Sequence, residues 1–204
     1  MNQNIQSIRD DIISAALDDI PFEGQWNWKA IERAAENISY STHIARSVFP
    51  EKTTSTLIHF ADMADRAMIK NAQNLDLETM RIRDRILEIT LLRFTHLNTH
   101  KEAERLALQK WLLKAKKLKS LNIMWSTCDR IWQCAGDIST DYNHYTKRGL
   151  LAGVLTSTTF VWLNDTSSDM IETRQFMERR IDNVLKIGQT TGPHIDRFMK
   201  AIKR

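Results

Sequence analysis

Apolar residues recur every three or four positions along most of the chain, which is the spacing of residues on one face of an α-helix. Over residues 8–20 such a stripe lies opposite charged positions, so the sequence predicts an amphipathic helix there. This helix is expected to end before Pro21, because the residue that precedes a proline disfavours helical backbone. Two shorter helices are predicted over 28–38 and 42–49, the second stopped by Pro50.

Longer helical patterns fill the rest of the chain. The fifth predicted helix, about residues 78–97, carries apolar residues most of the way round, so it is expected to lie at the centre of the fold. Gly136 is a suitable C-terminal cap for the seventh helix, and Asp169 with Glu172 resembles a capping box for the ninth. The predicted long helices cover about residues 53–74, 78–97, 100–114, 118–135, 141–163 and 168–188.

The last residues of the chain form a separate pattern. From 193 to 204, apolar side chains share one stripe beside basic residues, which is typical of a helix lying in an anionic membrane interface. Docking of the same stripe onto the helical body is an equally open alternative. The residues predicted to contact the membrane are Ile195, Phe198, Met199, Lys200, Ile202 and Lys203.

Composition favours an all-α protein. The chain has only 6 Gly and 3 Pro among 204 residues, too few for the turns of a β-sandwich, and no convincing strand pattern or internal repeat is found. One domain is predicted, with a three-helix, helix-turn-helix-like lobe over 1–50, a body of about six helices over 51–190 and a tail over 191–204. This layout resembles that of TetR-type regulators, whose third helix enters the major groove of DNA.

A ligand-responsive, DNA-binding transcription regulator is therefore the alternative function. Duplex binding needs several cations at the phosphates. However, the third predicted helix carries Arg46 as its one firm cation, and acidic residues outnumber basic ones over 8–38. The net charge of +4 is too small to indicate a nucleic-acid partner by itself. We expect the lobe to serve in packing and to bind no nucleic acid.

The sequence contains no motif for catalysis. It lacks a phosphate-binding glycine loop, the GxSxG nucleophile turn and the Glu-x-x-His pairs of di-iron helical bundles. Cys128 and Cys134 lie six positions apart on one predicted helix and face different directions, which predicts free thiols. His96 and His100 have no obvious third metal ligand. We therefore predict a protein without catalytic residues, metal or cofactor.

The most distinctive segment is residues 132–148, which reads WQCAGDISTDYNHYTKR. Gly136 to Asp141 fit the end of one helix and the start of the next. Aromatic residues and arginine, which are enriched where proteins bind other proteins, surround the same turn and make it a candidate partner-binding surface. These residues are Trp132, Tyr142, Tyr145 and Arg148.

This segment, with LLAGVLTSTTFVWLNDTSSD and FMERRIDNVLKIG after it, resembles the coenzyme Q protein nine family of ubiquinone biosynthesis. The resemblance is specific over about 120–188 and weaker over the N-terminal lobe. It implies a TetR-like, all-α homodimer that is an accessory protein rather than an enzyme or a repressor. It further implies that the protein binds a phospholipid or an isoprenoid quinone intermediate. The intermediate would be delivered at a membrane to the di-iron demethoxyubiquinone hydroxylase.

The resemblance also implies which residues face that hydroxylase. The family's partner-facing patch falls on Asp137, Asp141, His144 and Tyr145, and histidine stands at 144 where other members often carry tryptophan. The motif and the aromatic pattern together give the predicted partner-binding residues, which are Trp132, Asp137, Asp141, Tyr142, His144, Tyr145 and Arg148.

A sheltered lipid needs an apolar cavity, and the body is rich in the tryptophan and methionine side chains that line adaptable sites. Each of these side chains taken singly also fits an ordinary core. The predicted lipid-binding residues are Leu91, Phe94, Leu108, Trp111, Leu112, Met124, Trp125, Leu155, Phe160 and Trp162.

The homodimer is expected to form through the eighth and ninth helices. Gly149 and Gly153 permit close approach of backbones, and an apolar stripe over 171–185 supplies area, although both features also fit packing within one subunit. No apolar run has membrane-spanning length, and the first residues show no signal or transit pattern. We expect a cytoplasmic protein, peripheral at the bacterial inner membrane, or one on the matrix side of the mitochondrion if the chain is a mature eukaryotic form.

Overall fold

A computed structural model describes residues 2–112, 117–140 and 142–184 of the protein. Within these ranges the backbone forms nine α-helices, two 3-10 turns (Leu77–Thr79 and Ser168–Met170) and no β-strand. The predicted all-α fold is confirmed. The helices are α1 (Asn2–Glu23), α2 (Trp28–Asn37), α3 (Thr42–Val48), α4 (Thr53–Ala72), α5 (Ile82–Asn98), α6 (Lys101–Trp111), α7 (Lys117–Cys134), α8 (Tyr142–Asn164) and α9 (171–184).

Helices α1 to α3 form the N-terminal lobe. Asn27 caps α2, because its side-chain oxygen accepts a hydrogen bond from the amide of Ala30 (2.8 Å). The buried Trp26 joins the lobe to α4: its ring lies 5.1 Å from that of Phe60, and its indole N–H donates to the hydroxyl of Thr56 (3.0 Å). One continuous hydrophobic core therefore runs through the lobe and the body.

The predicted end of α1 is wrong, because the helix includes Pro21 and continues to Glu23. Proline removes one backbone hydrogen bond from the helix. Ile20, just before it, is fully buried, and this packing outweighs the loss of that bond in the last turn. Gly24 ends the helix with φ of +62°, which glycine adopts without steric cost, and its amide donates to the carbonyl of Pro21 (3.2 Å).

The start of α9 also differs from the prediction. Asp169 has φ of +52° inside the second 3-10 turn and does not form the expected capping box. Asp165 takes this role: its carboxylate accepts hydrogen bonds from the amide and the hydroxyl of Thr173 (2.8 and 2.5 Å) and from the amide of Ser167 (2.8 Å). Burial raises the pKa of Asp165, but these hydrogen bonds outweigh it and lower the pKa to about 2.

Helix α5 lies at the centre of the body, with buried residues spread around it, as its apolar pattern predicts. It packs against α4, α6 and α7, and α8 packs on α7. The guanidinium of Arg174 in α9 donates two hydrogen bonds to the carboxylate of Glu88 in α5 (2.9 and 2.8 Å), which holds α9 against the centre. Across the described ranges, no helix combines the length and apolar character that crossing a membrane requires.

Candidate partner-binding corner and lipid cavity

The turn between α7 and α8 has the hydrogen bonds of a Schellman motif. Gly136 has φ of +91°, and its amide donates to the carbonyl of Gln133 (3.0 Å). The next amide, that of Asp137, donates to the carbonyl of Trp132 (2.9 Å). Gly136 is thus the C-terminal cap of α7, as the sequence predicts, and the turn brings Asp137 into contact with α8.

Asp137 is a buried anchor of this turn. Its carboxylate accepts hydrogen bonds from the ammonium of Lys147 (2.7 Å), the hydroxyl of Ser139 (2.8 Å) and the guanidinium of Arg148 (3.1 Å). Burial raises the pKa of Asp137, but these donors, Lys147 foremost, outweigh burial and lower the pKa to about 2. The carboxylate therefore stays ionised at neutral pH and ties the turn to α8.

Arg148 lies beneath the surface, with only 2% of its side chain exposed. Its Nε donates to the carboxylate of Asp129 in α7 (2.6 Å), and one terminal nitrogen donates to Asp137 (3.1 Å) and to the carbonyl of His144 (3.0 Å). Arg148 therefore holds α7, the turn and α8 together, and it contributes to a partner surface through the residues it positions.

Trp132 has a similar supporting position on α7. Its indole N–H donates to the backbone carbonyl of Lys147 (3.2 Å), and the ammonium of the same lysine lies 5.2 Å from the centre of the ring. The ring is partly buried against the hydrophobic core. Trp132 thus stabilises the first turns of α8 from below.

Four side chains form the outer surface here, which we call the aromatic corner: Trp125, Ile138, His144 and Tyr145. The ring of Tyr145 stacks on Trp125 at 6.0 Å between centres and meets His144 at 5.2 Å. Tyr145 is 63% exposed and Ile138 is 93% exposed. The imidazole of His144 is fixed by a 3.0 Å contact between its Nδ1 and the carbonyl of Ser139. The aromatic corner is therefore an exposed apolar surface, and the ion pairs of Asp137 and Arg148 hold the backbone beneath it in place.

The predicted partner-binding residues thus separate into two groups. His144 and Tyr145 belong to the aromatic corner, whereas Trp132, Asp137 and Arg148 support it from within. Asp141 and the side chain of Tyr142 lie outside the described residues.

Sequence reasoning missed two members of the aromatic corner. Trp125 was assigned to the lipid site, because its position in the helical pattern of α7 resembles that of a core residue. Ile138 was not singled out, although a lone isoleucine between the polar residues of a turn is a usable signal of an exposed apolar contact.

A cavity of about 230 Å³ lies between α4, α5, α6, α7 and α8. Most of its lining is apolar, and two of its wall residues reach far into solvent: Leu112 is 67% exposed and Phe160 is 54% exposed. The predicted lipid-binding residues that line it are Leu108, Trp111, Leu112, Met124, Leu155 and Phe160.

The other predicted lipid-binding residues are placed elsewhere. Phe94 and Trp162 are fully buried with their rings 5.3 Å apart, and the indole N–H of Trp162 donates to the side chain of Asn98 (3.2 Å). Leu91 is buried in α5, and Trp125 lies at the aromatic corner. None of these four residues lines the cavity.

Two charged residues of the cavity wall were missed, Arg93 and Glu104. Acidic residues that alternate with lysine and arginine along a helix ordinarily form solvated ion pairs. Burial instead raises the pKa of Glu104 to about 7, although the charge of Arg93 opposes this shift. The helical spacing alone gives no signal of this burial.

The residues predicted to form a dimer are partly available for one. Gly149 and Gly153 both lie on the exposed side of α8, and a Cβ placed on either would meet no atom within 4 Å. Ile171 is half exposed, whereas Met177 and Ile181 are buried within the subunit. Leu185 and the membrane-contact residues predicted between Ile195 and Lys203 lie outside the described residues.

Two arginines of the lobe are paired with carboxylates. Arg46 in α3 pairs with Glu32 (2.8 Å), and Arg33 in α2 pairs with Glu23 (2.6 Å). In the ranges 2–112, 117–140 and 142–184, no cluster of three or more His, Cys, Asp or Glu side chains could hold a metal ion. Both cysteines are free thiols.

Comparison with known proteins shows that the sequence of this chain is similar to proteins of the family that residues 132–148 resemble. Residues 118–188 match the family model described as COQ9. The chain is 29% identical to "Ubiquinone biosynthesis protein COQ9, mitochondrial" of Rattus norvegicus over 192 residues, which are 91% of this chain and 61% of the rat protein. The Homo sapiens protein of the same name is 28% identical over 91% of this chain and 60% of its own length. The predicted resemblance is confirmed, and the chain spans about three fifths of the length of these curated relatives.

The fold also has a counterpart among solved structures. The "TetR transcriptional regulator from Nitrosomonas europaea ATCC 19718" superposes with a TM-score of 0.71 over 88% of this chain and 98% of that one. Because the two sequences are only 19% identical, this likeness shows the fold alone. The predicted TetR-like fold is confirmed.

Proposed function

We propose that this chain, a relative of the COQ9 proteins, is a lipid-binding accessory protein of ubiquinone biosynthesis. In this proposal it presents isoprenoid quinone intermediates to the di-iron demethoxyubiquinone hydroxylase, which carries out the oxidation. The observation that carries the proposal is the aromatic corner, which lies within the matched residues 118–188 and is exposed on a rigid base.

The construction of the aromatic corner supports its role in docking. Exposed aromatic rings and isoleucine supply the apolar contact that dominates binding energy at protein interfaces. The ion pairs of Arg148 and Asp137 fix the backbone below, so little conformational entropy is lost when a partner binds. The corner therefore combines an apolar surface with preorganisation.

The cavity supports the lipid-binding part of the proposal. Its lining is mainly apolar, and the exposed Leu112 and Phe160 continue that lining to the surface. A volume of about 230 Å³ is less than the ~300–1,000 Å³ of sites that enclose drug-sized ligands. The cavity is therefore suited to one end of a long lipid, with the remainder leaving through the opening.

We further propose a homodimer that works at a membrane surface. The open face of α8 around Gly149 and Gly153 is free for close contact with a second copy. The basic amphipathic pattern of residues 191–204 is the proposed membrane contact, at the bacterial inner membrane or on the matrix side of a mitochondrion. The COQ9 proteins of Rattus norvegicus and Homo sapiens are named as mitochondrial proteins.

The substitution Tyr145→Ala tests the docking role of the aromatic corner. Removal of an exposed hot-spot ring is expected to weaken binding of the purified hydroxylase at least thirtyfold, the equivalent of about 2 kcal/mol. The melting temperature should change by less than about 2 °C, because the ring is 63% exposed. Surface plasmon resonance and thermal unfolding measure the two effects.

Phe22→Ala is the matched control, since Phe22 is 92% exposed on the N-terminal lobe. It should leave hydroxylase affinity unchanged. Unaltered binding by Tyr145→Ala would show that docking occurs elsewhere, and a large loss of stability would show that Tyr145 is a packing residue.

A further inference from the structure

The lipid cavity has a polar wall that the proposed function does not explain. Arg93 of α5 and Glu104 of α6 both line it, among side chains that are mostly leucine, phenylalanine, tryptophan and methionine. An ordinary apolar tunnel has no need of two charged groups in its wall, because burying them is costly unless they find partners.

Arg93 is held in place through one edge of its guanidinium. Its Nε donates to the carboxylate of Asp65 (2.8 Å), whose side chain is only 3% exposed. The same carboxylate also accepts from the hydroxyl of Thr127 (2.9 Å) and from Arg130 (3.4 Å). Asp65 is thus fully engaged, whereas the two terminal nitrogens of Arg93 donate to no residue in the described part of the chain.

Glu104 is without a partner altogether among the described residues. Its carboxyl forms no hydrogen bond with them and no ion pair within 4 Å, Arg93 included. Burial, reinforced by the negative charge of Asp65 and opposed by Arg93, raises the pKa of Glu104 to about 7. Glu104 is half-buried in the cavity wall, and because it has no protein partner there, its carboxyl is open to a ligand with a suitable polar group.

We propose that Arg93 and Glu104 bind the hydroxyl group of a phenol or quinol ring, whose apolar chain leaves through the mouth of the cavity. A phenolic hydroxyl suits this pair because its oxygen accepts from the guanidinium while its hydrogen donates to the carboxylate. This inference rests on the proposed function, since it assigns the head group and the orientation of the lipid in the same cavity.

The size of the cavity agrees with a ring as the buried end. A volume of about 230 Å³ equals that of roughly seven or eight water molecules at ~30 Å³ each. A ring with small substituents fits such a space, whereas a long isoprenoid chain does not. The chain can instead follow Leu112, Leu121 and Phe160, which line the cavity and are all exposed.

Other head groups satisfy the pair less well. Above pH 7, where Glu104 is ionised, a fatty-acid carboxylate would pair with Arg93 but would be repelled by Glu104. A quinone carbonyl accepts from Arg93 but has no proton to donate to the ionised carboxylate. Above pH 7 the arrangement therefore favours the hydroxylated ring over both the oxidised ring and the fatty acid.

Matched probes test this assignment on the full-length protein. The affinities of 4-nonylphenol and nonylbenzene, which differ by one hydroxyl, are measured by displacement of the fluorescent probe N-phenyl-1-naphthylamine. At pH 8, where Glu104 is ionised, we expect the phenol to bind wild type at least tenfold more tightly, and decanoate to bind no better than nonylbenzene. Glu104→Leu should lose the preference for the phenol while keeping its affinity for nonylbenzene.

Two further variants make the result specific. Glu102→Leu, on the same helix but exposed and paired with Arg105, should bind like wild type. Arg93→Lys keeps a cation beside Asp65 and removes the planar fork, so it should weaken phenol binding at least threefold. The melting temperature of Glu104→Leu should equal or exceed that of wild type, which shows that the variant is folded.

The outcomes separate the two proposals. Equal affinity of wild type for both nonyl probes, or an undiminished phenol preference in Glu104→Leu, would overturn the assignment of the head group and leave lipid binding intact. Failure of every probe to displace the fluorophore would count against lipid binding in this cavity, and so against that part of the proposed function as well.

Discussion

At the scale of single residues, two carboxylates show how hydrogen-bond donors decide ionisation. Asp137 accepts from a lysine, an arginine and a serine, and its pKa is about 2. Glu104 is half-buried in the cavity wall and accepts from no described residue, and desolvation raises its pKa to about 7. Burial raises both pKa values, and only the donors at Asp137 reverse the effect. Asp137 is thus a fixed structural charge, and Glu104 is a group that a ligand can engage.

The raised pKa of Glu104 predicts a pH dependence of stability. Between the ordinary value of 4.5 and about 7, the native protein keeps a proton that the unfolded chain has released, so the free energy of unfolding falls as pH rises through this window. The loss approaches about 3 kcal/mol above pH 7. Glu104→Gln should therefore resemble wild type near pH 4.5 and exceed its stability by about 1–3 kcal/mol at pH 8.

Urea unfolding of the ligand-free protein at pH 4.5 and pH 8 measures this difference. Glu102→Gln is the control, because Glu102 is exposed on the same helix, and it should follow the wild-type pH dependence. The same stability difference between Glu104→Gln and wild type at both pH values would show that Glu104 titrates normally.

Residue identity predicted the location of the corner better than the role of each residue in it. The sequence indicates the segment 132–148 because it has more aromatic and charged residues than the end of one helix and the start of the next require. Its most exposed apolar side chain, Ile138, and its most buried cation, Arg148, were not distinguished by type. Exposure depends on where the turn directs each side chain, and that follows from three-dimensional packing rather than from local pattern.

At the scale of helices, the α7–α8 turn depends on one left-handed residue. Gly136 has φ of +91°, and a Cβ there would lie 3.4 Å from Arg85, whose guanidinium donates to the carbonyl of Ala135 (3.1 Å). This geometry sets the direction in which the chain leaves α7 and so the position of Asp137 under α8. The aromatic corner therefore depends on a residue that has no side chain.

Substitution of this glycine is predicted to destabilise the protein. Gly136→Ala should lower the free energy of unfolding by about 1–2 kcal/mol, because the left-handed conformation is strained for any residue with a Cβ. For a chain of this length the melting temperature should fall by about 4 °C. Hydroxylase affinity should also fall, since the turn carries Ile138.

Gly149→Ala is the matched control and should act in the opposite direction. Gly149 lies inside α8 with open space around it in a single subunit, so alanine should stabilise the helix by about 0.5–1 kcal/mol at protein concentrations where the subunit is monomeric. Calorimetry of both variants provides the comparison. Equal effects of the two substitutions would mean that the Schellman turn contributes nothing specific.

Helix positions followed from the periodicity, while some helix ends did not. The pattern places all the helices of the described ranges, since burial of an apolar stripe dominates their stability. Local rules failed at Pro21, where core packing of Ile20 carries the helix onward, and at Asp169, where Asp165 supplies the cap from outside the expected spacing. Both failures reflect tertiary contacts that override short-range preference.

At the scale of the whole molecule, the protein combines a TetR-like fold with an N-terminal lobe in which helix α3 has no unpaired arginine. The only arginine of α3, Arg46, is paired with Glu32. Duplex affinity depends on several unpaired cations that replace the counterions of phosphate. We therefore propose that the fold supplies a scaffold, and that the activity lies in the body, at the aromatic corner and the cavity.

In the proposed homodimer, helix α8 links the dimer interface to the cavity. Its exposed face carries Gly149 and Gly153 and continues to Thr156 and Phe160, which also line the cavity. A second copy seated on this face would cover the apolar mouth of the cavity and shelter a bound chain from water. Dimer formation and lipid retention are therefore expected to depend on the same surface.

Gly153→Trp tests this coupling. A large ring on the open face should leave the fold intact, because a Cβ there meets no atom of the subunit within 4 Å. It should prevent close approach of a second copy, so light scattering should report monomer where wild type is dimeric, and native mass spectrometry should show less bound lipid. Lys29→Trp, at an exposed position of α2, should remain dimeric and loaded. A dimeric Gly153→Trp protein would show that α8 is not the interface, because a tryptophan at its centre leaves no room for helix packing at 8–10 Å.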